Sequence, residues 1–203
     1  MRTRQTLIVL LVATLAVTLL LLLWAWTGGP GGSSGGLLIP PSPASPAAPL
    51  PTAEEALGPA TEAARRWQPD AQLVGVSATW SRARRESLLA GPGGWSFLFY
   101  SSTAGEIQYV GVGSGGASLG RRFPAPTPPE TVPEEKWQFA AADALLFFLA
   151  SGGERYLRDH PSAAVNLRLG AEAGRAVWTV LAVEGDKEPF IVRIDASTGE
   201  RLP

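Results

Sequence analysis

The chain of 203 residues has no cysteine, a single histidine and only two lysines. Without thiols there can be no disulfide, no thiolate metal centre and no cysteine nucleophile. His160 alone cannot build a histidine-rich metal site, and any Ser-His-Asp triad would depend on it. It precedes Pro161 in a polar segment, which reads as a turn or surface position. Charge of either sign is missing between Arg4 and Glu54. Beyond that gap, eighteen acidic residues face thirteen arginines and two lysines. This mild acidic excess leaves no footprint for nucleic acid. No two carboxylates have a spacing that argues for acid–base catalysis. The sequence therefore yields no catalytic, metal-binding or cofactor-binding residue, and an enzyme is not expected.

The uncharged stretch contains Leu7 to Trp26, "LIVLLVATLAVTLLLLLWAW". Twenty helical residues span roughly 30 Å, the thickness of the hydrocarbon core of a bilayer. Arg2 and Arg4 precede the run and no basic residue follows before Arg65. The positive-inside rule then leaves residues 1–6 in the cytoplasm, 7–26 as a single-pass anchor and the rest outside the cytoplasm. Trp24 and Trp26 stand where an interfacial aromatic belt would lie. A cleaved signal peptide is the competing reading. Its apolar core is usually about 7–15 residues long and ends in small residues, where this chain has "LWAWTGG". Residues 27–51 are rich in Gly, Pro and Ser and read as a linker, flexible in its first half and extended in its second.

Two similar halves follow. Thr52 and Glu55 have capping-box spacing, and Ala56, Ala60, Ala63, Ala64 and Trp67 recur at helical intervals. Pro59 offers a second starting point for that helix. Three β-like runs come next, "AQLVGVSATW", "GWSFLFYSS" and "EIQYVGVGS". The order then repeats. Thr131 and Glu134 have the same capping spacing, Trp137, Ala141, Ala144, Leu145 and Phe148 mark a helical face, and Gly152-Gly153 ends it. "AAVNLRLG", "AVWTVLAVEG" and "PFIVRIDA" complete the second set. The expected fold class is α+β: after the transmembrane helix, one helix with a three-stranded antiparallel sheet over 52–120 and another over 134–203. The Pro-rich segment 121–133 joins them. Both faces of "AVWTVLAV" are apolar, so the two sheets are expected to be covered on both sides, by packing the units together.

The second unit, from about residue 143 to 202, resembles the PepSY family. The hairpin "VWTVLAVEGDKEPFIVRIDA" runs into "DASTGE", and Asp195, Ala196, Thr198 and Gly199 match the Asp-Ala-x-Thr-Gly ending common in that family. The first unit has Gly113 and Ser114 where Asp-Ala would stand, so it is at best a degenerate copy. The resemblance implies a PepSY/cystatin-like fold. It also implies an extracytoplasmic, membrane-anchored role in restraining or modulating an envelope peptidase. The expected function is accordingly a protein- or peptide-binding module, with strand addition at a sheet edge as its mechanism. A sensor or carrier holding a small apolar ligand between helix and sheet is the alternative.

Other motifs carry less. Gly111 to Gly116, "GVGSGG", satisfies GxGxxG, but "ASLGRRFPAPTPP" after it cannot supply the helix N-terminus that would bind a phosphate. Asp186, Glu188 and Asp195 invite a calcium reading, although Lys187 would oppose a cation there. Arg82, Arg84 and Arg85 form a basic loop diluted by Glu86. Asp195, Thr198 and Gly199 are read as turn chemistry: an Asx carboxylate accepting backbone N–H groups, then a glycine at positive φ.

Overall fold

The computed structural model describes residues 50–203, which belong to one compact unit. The apolar run 7–26 and most of the linker lie outside the described residues. Among the described residues no helix is long and apolar enough to cross a membrane.

Helix α1 (Ala53–Trp67) begins at the capping box: Thr52 Oγ1 accepts the Glu55 N–H at 3.2 Å, and Glu55 Oε2 accepts the Thr52 N–H at 2.8 Å. The helix runs through Pro59 instead of starting there. Strand β1 (Gln72–Trp80), the short helix α2 (Arg85–Leu89), and strands β2 (Trp95–Ser101), β3 (Glu106–Gly113) and β4 (Gly116–Pro124) follow. A 3-10 turn at Glu134–Lys136 leads to α3 (Ala141–Phe148), which breaks at Leu149–Gly153 and resumes as α4 (Glu154–Asp159). The chain closes with β5 (Ala164–Glu172), β6 (Arg175–Val183), β7 (Phe190–Asp195) and β8 (Arg201–Leu202).

These strands overturn the expectation of two three-stranded units. They form one antiparallel eight-stranded sheet in the order β4-β3-β2-β1-β5-β6-β7-β8. The halves meet edge to edge, not face to face: Ala78 of β1 pairs with Leu167 of β5, and Trp80 with Val165. Pairing two first strands removes two free sheet edges at once, since an unpaired edge leaves a row of N–H and C=O groups without partners. The fourth strand of each half escaped the sequence reading for a physical reason. In β4 only Ala117 is even half-buried, so no apolar alternation marks it. β8 has just two residues.

One face of the sheet holds the core. Val76, Phe97, Val110, Leu167, Leu169, Trp178, Val180 and Ile194 are all at most 1% exposed on that face. α1 packs over β2, β3 and β4, and α3 over β6. The inward stripe of α1 is alanine (Ala53, Ala56, Ala60, Ala63 and Ala64), so the helix can approach the large side chains Phe97 and Phe99 closely.

The second helix departs from expectation at its start. Trp137 lies before α3, not on it, and its ring meets that of Trp178 edge-on at 5.7 Å. The N–H groups of Gln138 and Phe139 both donate to the carbonyl of Ala196, at 2.9 and 2.6 Å, which ties this segment to the end of β7 and keeps it out of the helix. α3 has no capping side chain of its own. Glu54 of α1 supplies one instead, its Oε1 accepting the Ala141 N–H at 2.9 Å. An acidic group at a helix N-terminus also favours the helix dipole. At Gly152, φ is +113°, and this glycine marks the break between α3 and α4.

Candidate functional site

The structure places Asp195 at the end of β7, almost buried, with Ser197 N–H donating to its Oδ1 at 2.8 Å. Its own N–H reaches the Glu200 carbonyl and its carbonyl receives the Gly199 N–H, both at 2.8 Å. Thr198 Oγ1 accepts the Glu200 N–H at 3.2 Å, and Gly199 has φ +75°. Every named group in this turn has a partner inside the turn. The turn is also a docking post. Ala196 receives the N–H groups of Gln138 and Phe139, Ser197 Oγ donates to the Lys136 carbonyl at 2.9 Å, and Trp178 Nε1 donates to the Phe139 carbonyl at 2.8 Å. A Cβ on Gly199 would stand 2.8 Å from Cε2 of Phe139. The Asp-Ala-x-Thr-Gly ending thus fastens the segment from Lys136 to Phe139, which leads into α3, to the second half of the sheet.

The other candidates do not converge. Asp186 and Glu188 sit in the exposed β6–β7 loop, at the opposite end of β7 from Asp195. Among the described residues, no group of three His, Asp or Glu side chains could hold a metal ion. Gly111 to Gly116 form the β3–β4 hairpin, which begins no helix. His160 stacks on Tyr156, ring centroids 4.2 Å apart, and its Nδ1 faces the Tyr156 carbonyl at 3.0 Å. The Tyr156 hydroxyl donates to the Glu188 carbonyl at 3.1 Å. Partial burial, with the charge of Glu184 adding to it, pushes the Tyr156 phenol above its ordinary value. Arg85 pairs with Glu154 at 3.1 Å in an exposed contact, so the basic loop is partly neutralised.

One carboxylate of consequence was not singled out from the sequence. Asp70, in the turn between α1 and β1, accepts Ser101 Oγ at 2.7 Å and both Ser102 Oγ and the Thr103 N–H at 2.9 Å. These bonds, Ser101 first, hold its carboxyl far below the usual carboxylate range. It ties the start of β1 to the β2–β3 hairpin. The Pro-Asp pair after a helix was the available signal.

The accessible binding features are the edges and the outer face of the sheet. β4 is a nine-residue edge strand in which Leu119 and Phe123 are 51% and 47% exposed. Its pairing to β3 shifts between Val110↔Leu119 and Gln108↔Arg122, a bulge around Gly120 and Arg121. The buried Gln108 side chain donates to the Gly120 carbonyl at 3.1 Å and so supports that bulge. At the other edge β8 covers only Arg193 and Ile194 of β7. Two surface depressions, of about 600 and 630 Å³, lie on the outer side of α1 and beside Ile191, Arg193 and Arg201. Neither is between helix and sheet.

No known family matches the chain, and no curated protein does so either. Among solved structures, the crystal structure of a "putative lipoprotein" from Clostridium difficile 630 is similar at 11% identity. The match covers 71% of this chain and 88% of that one, with a TM-score of 0.43. A likeness of that size fixes neither fold nor activity.

Proposed function

We propose that the chain is a non-enzymatic protein- or peptide-binding module, held outside the cytoplasm by the apolar run 7–26, that takes up an extended partner segment along β4. The observation that carries this reading is the outer edge of β4, unpaired among the described residues, nine residues long and exposed almost throughout. An extended segment laid beside such an edge gains backbone hydrogen bonds, while alternate side chains supply selectivity. The bulge at Gly120–Arg121 limits the uninterrupted part to Gly116–Leu119, which has no charge and no proline. Bulges and charged residues are common protections against unwanted pairing, and here they guard only the second half of the strand. The PepSY-like ending of the second half supports modulation of an envelope peptidase as the specific form of this role. The alternative of an apolar ligand between helix and sheet gains no support, since the alanine stripe of α1 is packed directly on the core.

Proximity labelling in intact cells that produce the full chain tests the proposal. Wild type should enrich a peptidase or other envelope protein, and Leu119→Pro should lose it while circular dichroism shows an unchanged fold. Enrichment of no envelope protein, or identical enrichment by the variant, would refute strand addition at this edge.

A further inference from the structure

The sheet face turned away from α1 and α3 carries one row of residues in register across all eight strands. It reads Ser118, Gly111, Ser96, Ser77, Arg168, Thr179, Arg193 and Leu202. A second row beside it reads Tyr109, Leu98, Gly75, Gly170, Val177 and Asp195. Two glycines therefore stand side by side on the central strand pair, leaving a trough without side chains between Leu98 and Val177. At Gly75 the backbone approach is close, since a Cβ would press on the Leu169 carbonyl oxygen at 3.2 Å. A Cβ on Gly170 would meet only Nε of Arg168, at 3.9 Å. The Arg168 guanidinium thus lies beside the trough.

Arg168 is exposed, and among the described residues no carboxylate lies within ion-pair distance of it. Arg193, the other arginine of the row, is already held by Glu172 and by the Pro203 carbonyl. Arg168 is thus the cation without a carboxylate partner at the middle of an open row of mostly hydroxyls and glycine, in which the other charge, Arg193, is already paired. The chemistry of its occupant follows from charge. The same face of a second copy would bring carboxylates that are already engaged, Glu172 with Arg193 and the buried Asp195 in its own turn. The chain's own N-terminal segment brings no carboxylate, since residues 5–53 are uncharged. An acidic segment from another protein meets both conditions.

We propose that this face docks an extended acidic segment of a partner protein, with a partner carboxylate on the Arg168 guanidinium and an apolar side chain two residues along, on the same side of the segment, in the Gly75–Gly170 trough. The guanidinium is suited to this, because its planar donors match a carboxylate in paired fashion. This surface is separate from the β4 edge, and the two proposals can fail independently.

The test uses the full chain in detergent micelles, isotopically labelled, titrated with the capped peptide (Glu-Ser-Val-Ser)2, whose Glu and Val share one face when extended, and, as control, (Lys-Ser-Val-Ser)2. The glutamate peptide should shift the amide signals of Ser77, Arg168, Gly170 and Thr179, and added salt should weaken it. Arg168→Gln should weaken it about fivefold, the upper end for an exposed ion pair, with an unchanged melting temperature, and Arg168→Lys should restore part of the loss. Equal shifts with the lysine peptide, affinity untouched in Arg168→Gln, or no shifts on this face would overturn the proposal. Shifts confined to Gly116–Leu119 would also overturn it, while supporting strand addition at β4.

Discussion

Replacing Gly199 with alanine probes the fastening of the segment from Lys136 to Phe139 to the sheet, through two separable costs. The first is conformational. Gly199 has φ +75°, and an L-residue in the left-handed region costs about 1–2 kcal/mol. The second is steric. The new Cβ would lie 2.8 Å from Cε2 and 3.0 Å from Cδ2 of Phe139. The Phe139 backbone cannot retreat easily, because its N–H is bonded to Ala196 and its carbonyl to Trp178 Nε1. Only the ring can turn, so an overpacking cost of about 1–3 kcal/mol applies. Together these give about 2–5 kcal/mol, and at about 2–4 °C per kcal/mol for a domain of this size the melting temperature should fall by roughly 4–20 °C. A double-mutant cycle separates the two. In a Phe139→Ala background the steric part disappears, so the double variant should be about 1–3 kcal/mol more stable than the sum of the single effects predicts. Chemical denaturation of all four proteins gives the coupling. Strict additivity, or a Gly199→Ala variant within about 0.5 kcal/mol of wild type, would refute the reasoning.

Two further substitutions address the carboxylates. Asp195→Ala removes the acceptor of the Ser197 N–H and should cost about 1–3 kcal/mol by thermal denaturation. Loss of partner binding at an unchanged melting temperature would instead make Asp195 a contact residue. Asp70 is held below its ordinary value near 3.8 in the folded chain, so the unfolded chain binds more protons and stability must rise with pH. Its contribution is present above about pH 4 and fades as pH falls towards the folded value. Asp70→Asn should therefore flatten the decline of stability below pH 4, and parallel profiles for variant and wild type would contradict the Ser101–Ser102–Thr103 clamp.

What the sequence shows and hides here follows from where burial acts. The first capping box was legible because Thr52 and Glu55 satisfy each other locally. Six strands were legible because one of their faces is buried, which enforces alternation or continuous apolar runs. β4 buries almost nothing, so it left no pattern. The start of α3 was misread because Thr131-x-x-Glu134 is a local signal, overridden by hydrogen bonds from Gln138 and Phe139 to Ala196 more than fifty residues away. Edge-to-edge joining was equally hidden. The apolar outer positions of β6 suggested a second sheet packed over them, whereas Leu181 and Val183 are left half-buried on the open face. The Arg168 row was readable in part, since "NLRLG" alternates. The two glycines became neighbours only through the β1–β5 register.

The two halves are equivalent in order, so β4 and β8 are counterparts at opposite edges, and their difference needs a reason. β8 pairs with β7 over two residues, Arg201 and Leu202. β4 runs for nine residues and adds no buried side chain to the core. Capping the edge of β3 would need neither Leu119 nor Phe123 exposed, and would be served by a shorter, more charged strand. The protective features that β4 does carry, a bulge and paired arginines, begin at Gly120. Gly116–Leu119 is left as the unguarded stretch. A strand that contributes little burial yet leaves Gly116, Ser118 and Leu119 exposed ahead of its bulge fits the proposed pairing with another chain.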